Sequence, residues 1–487
     1  MHGLQAIPSI VMLEKMAGFY VENFGCRAAR ADGEAVSARL RAEGMAELTL
    51  PDADVVVINT CSVTAEADRD ARAFVRKTRR LNPLAKVVVT GCYAQRAPQE
   101  IAELEGVSAV VGNSHKGLVP EIVRGLLRGG DSENKLTLIS PGELIQASAA
   151  AKIWADDSFA HSYIEDAQVM PGHGPGTQTR PNLKIQEGCG NRCTFCVIPT
   201  TRGASRSLTA EKVMVQARGF IAAGGKELVI SGINLGRWGR DLKENRSLAS
   251  LVREILNETD LPRLRLSSIE PMDWTPELIA LVGDFGGGRL ARHAHLPLQS
   301  GSDGVLRRMH RRYRPWHYGQ KVAALIDAAG PELAVGADVM AGFPGETEAE
   351  FRETYELIAS LPFSYLHLFP FSPRPGTRGW EMHKLSPVPP QIVSERMSAL
   401  RDLATEKSRR FRASFVGRTL PAITLHSPAT LATQGRTLAL SDNYLPLELT
   451  QELPANQLVD VRVTEINAGG VLVCAMDSMT EKMAVAS

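Results

Sequence analysis

The chain has 487 residues, which suffices for about three domains with a large hydrophobic core and excludes a mini-protein held together only by disulfides. Its 55 Lys and Arg residues nearly balance 54 Asp and Glu residues, so the net charge is +1 and an anionic partner must bind a local basic patch. Hydrophobic residues make up 44%, and no apolar run approaches the roughly 18 residues of a membrane helix, so no membrane association is expected. The first residues lack the basic start and cleavage site of a secretory signal, and we expect a cytoplasmic protein.

Residues 17–130 are predicted to form the first domain, because short apolar runs alternate there with charged, helix-like stretches. Such Val and Ile runs are typical of a parallel sheet buried on both faces, here in a flavodoxin-like α/β layer fold. The runs are FYVENFG (19–25), DVVVINT (54–60), KVVVTG (86–91) and SAVVGN (108–113). Cys26, Cys61 and Cys92 each follow one of these strands, so they can converge at the carboxyl edge of the sheet. The alternative is three unrelated cysteines, buried as small core residues.

A sixfold recurrence of a strand followed by a helix predicts the central domain, over residues 181–412. Such units with right-handed crossovers form a partial (β/α)6 barrel, whose active site lies at the carboxyl ends of the strands. The predicted strands are NLKIQE (182–187), ELVISG (227–232), RLRLSS (263–268), HAHLPLQ (293–299), LAVGADVMAG (333–342) and YLHLFPF (365–371). Residues 131–180 mix Gly, Pro and Ser without periodicity and are predicted to be a linker. Glu227 is expected to be an ordinary charge at the start of a strand.

Short β-rich runs predict a small all-β domain over residues 413–480. Five such strands suggest a small barrel of the kind that often binds oligonucleotides. The runs are TLPAITL (419–425), TLALSD (437–442), LPLELT (445–450), LVDVRVTEI (458–466) and GVLVCAM (470–476). Cys474 alternates within the last run and is expected to be a packing residue.

The stretch EGCGNRCTFC (187–196) carries the most specific chemistry, a C-x-x-x-C-x-x-C directly after the first barrel strand. In a reducing compartment, clustered cysteines more often bind metal than form disulfides. Three cysteines in each of two groups is unusual for structural zinc, which normally has four protein ligands. Three thiolates can instead hold an iron–sulfur cluster and leave one iron open to bind another molecule.

This spacing, with Phe195 between the last two cysteines, resembles the radical S-adenosylmethionine superfamily. Nine motifs also occur in the order found in its methylthiotransferase family: FGC (24–26), NTCSVT (59–64), TGCYAQ (90–95), IPTTRGASRS (198–207), ISGINLG (230–236), LSSIEP (266–271), LPLQSGSD (296–303), GFPGET (342–347) and PFSPRPGT (370–377). The resemblance implies an N-terminal cluster domain, a radical barrel and a C-terminal β domain called TRAM. It also implies two [4Fe-4S] clusters, one on Cys26, Cys61 and Cys92 and the other on Cys189, Cys193 and Cys196.

The resemblance further implies that S-adenosylmethionine binds at the carboxyl ends of the barrel strands. Gly232 allows close backbone approach to the methionyl part, and Ser268 and Glu270 could bond the ribose. The other expected contacts are Phe195, Gln299 and Gly342, and each of the six residues could instead be ordinary loop structure. One departure from the family is Ala29, which stands where an Asn usually follows the first cluster cysteine. This puts in doubt only how the first loop is braced.

The motifs most resemble the branch that acts on N6-threonylcarbamoyladenosine in tRNA, with Thr64, Asn82, Pro83, Tyr93 and SPRPGT as the branch-like features. The expected reaction installs a methylthio group at C2 of that base, next to the anticodon. Carbon 2 of adenine is an unactivated C–H position, so the reaction requires a radical. The alternatives are methylthiolation of isopentenyladenosine in tRNA, methylthiolation of an aspartate of a ribosomal protein, and a non-catalytic RNA-binding iron–sulfur protein.

The expected partners are a tRNA anticodon loop and a reductant protein such as a flavodoxin. Three runs concentrate positive charge in this nearly neutral chain and are candidates for phosphate contacts: RKTRR (76–80), RRMHRRYR (307–314) and EKSRRFR (406–412). Each run could also be a solvated helix face. A modified base of a single-stranded loop could be turned out of its stack and into the barrel.

Overall fold

The computed structural model describes residues 17–128, 144–146, 151–159, 169–171, 178–244 and 246–477 of an α/β protein. Three units follow one another along the chain: a parallel sheet flanked by helices, a partial barrel and a small closed barrel. Among the helices in these ranges, none combines the length and the apolar character that crossing a bilayer requires.

The first unit contains a seven-stranded sheet in the order β2-β1-β3-β4-β5-β7-β6. All pairs are parallel except β6 with β7, and the four predicted apolar runs become β1, β3, β4 and β5. The elements are β1 (Gly18–Asn23), α1 (Arg27–Ala42), β2 (Ala46–Glu47), β3 (Val55–Thr60), α2 (Ala65–Leu81), β4 (Lys86–Gly91), α3 (Cys92–Arg96), α4 (Pro98–Ala102), β5 (Val107–Gly112), α5 (Val119–Leu127), β6 (Leu144–Gln146) and β7 (Lys152–Trp154).

The central strand β3 shows why its sequence is continuously apolar. All six of its residues are buried, and alternate side chains face opposite sides of the sheet. Val55 and Val57 pack with α1 and α5, whereas Val56 and Ile58 pack with α2, α3 and α4. Helices therefore cover both faces, as a parallel sheet requires.

The segment predicted as a linker differs from that expectation. Its strands β6 and β7 extend the first sheet beyond β5, with Val110 paired to Ile153 and Val111 to Trp154. Ile153 is fully buried and Trp154 is 4% exposed, so β7 covers the edge that β5 would otherwise leave open. Each of the two strands has only three residues, too few to show a periodicity against the surrounding Gly and Ser.

The second unit is the partial barrel, and all six predicted strands are present as β8, β10, β11, β12, β13 and β14. The backbone hydrogen bonds Ala291 N–Leu264 O (2.9 Å) and Ile269 N–His295 O (3.0 Å) join its two arcs. Its elements are β8 (Asn182–Glu187), α6 (Ile198–Arg202), β9 (Arg206–Ser207), α7 (Ala210–Ala222), β10 (Glu227–Gly232), α8 (Leu248–Glu258), β11 (Arg263–Leu266), α9 (Pro276–Phe285), β12 (His293–His295), α10 (Asp303–Arg308), α11 (Pro315–Ala329), β13 (Ala334–Ala341), α12 (Glu348–Ser360), β14 (Tyr365–Pro370), α13 (Arg378–Leu385) and α14 (Pro390–Ala413).

Glu227, expected to be an ordinary charge at a strand start, is instead a fully buried anion. Its carboxylate pairs with Arg180 at 3.0 Å, Arg265 at 2.7 Å and Arg263 at 3.5 Å. Burial alone would raise the pKa of Glu227, but these guanidinium groups, Arg265 foremost, lower it to about 2. The arginines lie on neighbouring segments, so local sequence does not reveal the cluster.

The third unit is a closed five-stranded barrel in the order β15-β16-β17-β19-β18. Its elements are β15 (Thr419–Thr424), α15 (Ala429–Ala432), β16 (Thr437–Ser441), β17 (Pro446–Leu449), β18 (Leu458–Ile466) and β19 (Leu472–Met476). Cys474 is fully buried in its core. The turn between β16 and β17 docks onto the partial barrel, because Arg265 donates to the backbone oxygens of Ser441 and Asp442 and Arg292 pairs with the Asp442 carboxylate at 2.6 Å.

Candidate active site at the barrel mouth

The three cysteines of the first unit meet at the carboxyl edge of its sheet. Cys26 precedes α1, Cys61 directly follows β3, and Cys92 is the first residue of α3, directly after β4. Gly25 adopts φ +101°, and a Cβ atom there would lie 2.5 Å from the Cys61 sulfur, so only glycine permits this approach. A hydrogen bond from the Cys61 thiol lowers the pKa of Cys26 to about 6 and raises that of Cys61. Cys26 and Cys61 are therefore in contact, and Cys92 lies near Cys61.

Two side chains from other elements donate to the Cys92 sulfur. Asn113 Nδ2 lies 3.3 Å from this sulfur and Arg202 Nε lies 3.2 Å from it. Asn113 also donates to the backbone oxygen of Thr201 at 2.8 Å. Thr201 and Arg202 belong to α6, which begins two residues after Cys196, so the loop with the second cysteine triplet touches the first triplet directly.

Arg202 belongs to a buried network of five charged side chains at the junction of the two units. Its Nη1 donates to Asp32 at 3.0 Å and to Glu187 at 2.6 Å, and two lysines complete the network. Every member is at most 4% exposed: Asp32, Lys116, Lys184, Glu187 and Arg202. Three cations against two carboxylates leave one surplus positive charge beside Cys92. A buried positive charge of this kind favours an anionic cluster at that position.

The second triplet lies on the loop that follows β8. Uncharged hydrogen-bond donors point at two of its three sulfurs. The Cys189 sulfur accepts from the backbone N–H of Asn191 at 3.4 Å and from Asn234 Nδ2 at 3.6 Å. The Cys196 sulfur accepts from the backbone N–H of Ile198 at 3.4 Å. Burial raises the pKa of the Cys196 thiol to about 12. A bound metal would replace that proton, because coordination deprotonates a thiol outright.

The remaining sulfur of this triplet has a charged donor. Arg311 Nη1 lies 3.3 Å from the Cys193 sulfur, and its Nη2 donates to Glu270 at 2.5 Å. Arg311 is 7% exposed, so the positive charge acts on Cys193 with little solvent screening. Glu270, predicted to bond the cofactor ribose, thus lies at the barrel mouth and holds Arg311; its ribose contact stays a prediction.

The other predicted cofactor residues also lie at the carboxyl ends of the barrel strands. Gln299 has φ +62°, and its buried Oε1 has no hydrogen-bond partner among the described residues, which makes it available to a ligand. Gly232 packs so closely on Gln186 that a Cβ atom would lie 2.6 Å from the Cβ of Gln186. Gly342 donates its N–H to Glu346, and Phe195 and Ser268 are half-buried at the mouth. Their contacts with the cofactor remain predictions.

The departure at Ala29 has a structural explanation. Ala29 is fully buried within α1, and its backbone oxygen accepts a hydrogen bond from Asn59 Nδ2 at 2.5 Å. The same amide donates to Asn23 Oδ1 at 3.0 Å, so Asn59 ties α1 to β1 and β3. The loop that carries Cys26 is therefore braced from the neighbouring strand rather than by an Asn at position 29.

A second contact holds the Cys61 loop against the barrel mouth. Arg374, from the SPRPGT stretch, donates to the backbone oxygen of Ser62 at 3.0 Å and pairs with Asp68 at 3.0 Å. Ser372 accepts a hydrogen bond from the backbone of Ala65 at 3.1 Å. The carboxyl edge of the sheet thus faces the mouth of the barrel at two places, this contact and Arg202.

The basic run RRMHRRYR is not the continuous basic surface that the sequence suggests. Arg308 pairs with Glu350, Arg307 and Arg314 pair with Asp303, and Arg311 is buried at Cys193. Among its arginines in the structure, Arg312 alone is exposed without an ion pair. A regular sequence of arginines cannot show which of them have carboxylate partners far along the chain.

Each triplet fits an iron–sulfur cluster by the chemistry of its donors. The cysteines of each set lie near enough to act on one another electrostatically, N–H groups point at their sulfurs, and a guanidinium lies beside one sulfur of each set. Nitrogen donors to sulfur and a nearby cation are the means by which proteins stabilise such anionic clusters. Four side chains that donate to these sulfurs were not predicted from the sequence: Asn113, Arg202, Asn234 and Arg311.

The fold and the site together define the class of protein. A family model described as Radical SAM superfamily matches residues 183–358, and one described as Uncharacterized protein family UPF0004 matches residues 18–112. Among solved structures, the radical S-adenosylmethionine methyltransferase TsrM from Kitasatospora setae superposes with a TM-score of 0.53 at 14% identity, covering 73% of this chain and 74% of that chain. This likeness shows the fold: the chain has the architecture of a radical S-adenosylmethionine protein.

Curated relatives define the family within that class. Threonylcarbamoyladenosine tRNA methylthiotransferase MtaB of Aquifex aeolicus is 34% identical over 91% of this chain and 99% of its own length, and the protein of that name from Bacillus subtilis is 33% identical over 97% and 100%. A tRNA-2-methylthio-N(6)-dimethylallyladenosine synthase of Geobacter metallireducens is 30% identical over 91% and 95%. The chain belongs to the radical S-adenosylmethionine methylthiotransferase family. It is an enzyme, and its family uses S-adenosylmethionine and two [4Fe-4S] clusters.

Proposed function

We propose that this enzyme installs a methylthio group at C2 of N6-threonylcarbamoyladenosine next to the anticodon of tRNA. The observation that carries the proposal is that two cysteine triplets open onto one barrel mouth and are joined through α6, where Arg202 contacts Cys92. The relatives with the name MtaB, which match nearly the whole chain, favour this base over other substrates.

The two triplets have different roles in this proposal. Cys189, Cys193 and Cys196 hold the cluster at which S-adenosylmethionine binds, and Cys26, Cys61 and Cys92 hold the cluster beside which sulfur is added. When bound, these groups supply the radical, the sulfur and the methyl group that replacement of an unactivated C–H requires. The protein would bring both sites to one substrate carbon. Cys61 and Cys92 are each 3% exposed, whereas Cys26 is open to an incoming substrate.

Charged side chains tune the two sites. Arg202 and Arg311 each place a guanidinium about 3 Å from a cysteine sulfur, where it would stabilise the negative charge of a bound cluster. Glu270 fixes Arg311, and Asp32 with Glu187 fixes Arg202. The side chains therefore hold their positions before a cofactor or substrate arrives.

Exposed basic residues outside the mouth are the proposed contacts for tRNA phosphates. Arg76, Lys77 and Arg80 are exposed on α2. Arg409, which is exposed and pairs with Glu406, and Arg412, which is half-buried and donates to the backbone oxygen of Gly470, line a cavity of about 450 Å³ between α14 and the β18–β19 turn. With the anticodon loop at the mouth, the modified base would leave its stack and enter the barrel. A flavodoxin-type protein is the proposed source of electrons.

The division of labour is tested by removing one cysteine from each triplet. After anaerobic reconstitution, the wild type should carry about eight irons, and Cys193→Ala and Cys61→Ala about four each. Cys193→Ala should form no 5′-deoxyadenosine, whereas Cys61→Ala should still form it and add no sulfur to tRNA. Cys474→Ala, in the C-terminal core, is the control and should keep both clusters. Full methylthiolation by Cys61→Ala would contradict the proposal.

The substrate is tested in a deletion strain by mass spectrometry of digested tRNA and of ribosomal proteins. Loss of the methylthio derivative of N6-threonylcarbamoyladenosine, restored by the wild-type gene and not by the Cys61→Ala gene, is the expected result. Loss of the methylthio derivative of isopentenyladenosine instead would show that isopentenyladenosine is the substrate of this enzyme. Loss of methylthiolation only at an aspartate of a ribosomal protein would show that the ribosomal protein is the substrate.

A further inference from the structure

We propose that Arg27 binds the carboxylate of the threonyl group and is the residue that selects N6-threonylcarbamoyladenosine over bases with an uncharged N6 substituent. The inference rests on the proposed function and names the side chain that reads the substrate. Arg27 directly follows Cys26, so its guanidinium lies within one side-chain length of the first cysteine triplet.

Arg27 reaches the place where all three units of the molecule meet. Its Nη2 donates to the Tyr444 hydroxyl at 2.9 Å, and its guanidinium lies 5.8 Å from the centre of that ring. Tyr444 belongs to the turn between β16 and β17 and adopts φ +65°. Its ring packs on His293 at 4.6 Å and on Tyr365 at 5.3 Å, at the start of two barrel strands. The guanidinium of Arg27 is thus held against a ring that packs on side chains at the amino-terminal starts of β12 and β14.

Arg27 differs from the other arginines of this region in having no counter-ion. Carboxylate partners are present for Arg96 (Asp68), Arg202 (Asp32 and Glu187), Arg265 (Glu227), Arg311 (Glu270) and Arg374 (Asp68). Within the part of the chain that the structure describes, Arg27 has a phenol as its partner and no carboxylate. A half-buried guanidinium gains most from an anion, which no carboxylate among the described residues supplies here.

The side chains around Arg27 include neutral rings and one other arginine, Arg265. Arg27 and Arg265 lie near His293, whose pKa burial lowers well below its usual value, so this imidazole is neutral. Burial also raises the pKa of Tyr365, which is therefore neutral. The carboxylate that faces the same rings is Asp338, and it already contacts His295 at 3.3 Å and His367 at 3.2 Å.

The chemistry of the substrate matches this position. A threonylcarbamoyl group ends in one carboxylate, whereas an isopentenyl group has no charge. The planar guanidinium fork pairs with a carboxylate through two parallel hydrogen bonds, which gives both affinity and orientation. In adenine, C2 and C6 both flank N1, so a carboxylate held at Arg27, the residue after Cys26, would leave C2 free to face the first cysteine triplet.

The test compares two anticodon stem-loop RNAs that differ in one functional group. One carries N6-threonylcarbamoyladenosine, and the other carries the same base with the threonyl carboxylate converted to the primary amide. For each enzyme variant, kcat/KM and Kd are measured on both RNAs with one reconstituted preparation, so differences in cluster content cancel in the ratio. The wild type should prefer the acid by about tenfold or more.

Arg27→Gln should reduce that preference to about one, chiefly by losing activity and affinity with the acid RNA. Arg27→Lys keeps the charge and should retain part of the preference. Arg30→Gln removes an exposed arginine from the same helix and should behave as the wild type. The Kd ratio decides the result even for a variant that converts neither RNA.

Two outcomes would overturn the inference: equal treatment of both RNAs by the wild type, or a preference that Arg27→Gln leaves unchanged. A wild-type enzyme that does not methylthiolate the acid RNA, although it cleaves S-adenosylmethionine, would instead disprove the proposed function. The two failures are therefore distinguishable.

Discussion

At the scale of single residues, Arg202 joins the two halves of the site. It touches Cys92 and pairs with one carboxylate from the first unit, Asp32, and with one from the barrel, Glu187. No solvent reaches any of these groups to an appreciable extent. Removing one partner from such a network leaves buried charge uncompensated, which costs far more than loss of a surface ion pair.

We predict that Arg202→Met lowers the free energy of unfolding by about 3 kcal/mol or more and causes loss of iron from the first cysteine triplet. Urea denaturation of the metal-free protein gives the first quantity, and iron and sulfide analysis after reconstitution gives the second. Arg202→Lys keeps the positive charge but not the planar guanidinium. Its stability and iron content should fall between those of the wild type and those of Arg202→Met. An Arg202→Met protein with wild-type stability and iron content would show that the network is not needed at this junction.

Glu227 makes stability depend on pH. Its folded-state pKa is about 2, lowered from 4.5, so it contributes stability above the unfolded-state pKa and loses that contribution as pH falls below about 4.5 towards 2. At neutral pH the contribution is on the order of 3 kcal/mol. Urea unfolding of wild type and Glu227→Gln should differ by a constant amount between about pH 6 and pH 8, and the difference should shrink below about pH 4.5. A difference that does not change with pH would contradict this.

Sequence reasoning at this scale succeeded for the cysteines and failed for their partners. Cys61 and Cys92 could be placed because each directly follows an apolar run, and a strand end fixes a position in a parallel sheet. Asn113 and Arg202 come 21 and 110 residues after Cys92, and no local pattern links them to it. Arg27 was likewise not singled out, because the absence of a counter-ion is visible only when all neighbours are placed.

At the scale of elements, long apolar runs were predictable and short edge strands were not. The runs that became β3 and β4 have six residues with nearly complete burial, whereas β2 has two residues and β6 three. A strand of two or three residues cannot show an alternating pattern. The linker prediction for 131–180 rested on that missing pattern, although β7 from this segment pairs with β5.

The β16–β17 turn is the element that docks the closed barrel onto the partial barrel. Asp442, which is fully buried, pairs with Arg292, and Arg265 donates to two backbone oxygens of the turn. We predict that Asp442→Ala raises the rate of proteolytic release of the C-terminal barrel by about 100-fold, because it leaves Arg292 with fewer partners and frees the turn. Limited trypsin digestion with mass spectrometry measures the rate. Digestion at the wild-type rate would mean that other contacts hold the barrel.

At the scale of the whole molecule, positive and negative side chains are nearly equal in number. A net charge of +1 gives no long-range attraction to RNA, so binding must depend on local patches. The helix α2 begins beside the barrel mouth, where the backbone of Ala65 bonds Ser372. With a rise of about 1.5 Å per residue, Lys77 lies about 20 Å along the helix from that contact. In the proposed complex, the basic end of α2 would meet phosphates several nucleotides from a base held in the barrel.

We predict that replacing Arg76, Lys77 and Arg80 together by Ala weakens tRNA binding without changing which modified base is preferred. Each lost phosphate contact should reduce the slope of log K against log salt concentration by about 0.7 to 0.9, so the triple variant should lose about 2. Fluorescence anisotropy between about 50 and 200 mM salt measures the slope. Arg41→Ala, which removes an exposed arginine paired with Glu47, is the control and should keep the wild-type slope. An unchanged slope in the triple variant would place the tRNA on another face, and a changed ratio between the acid and amide stem-loops would show that α2 affects base selection at the mouth.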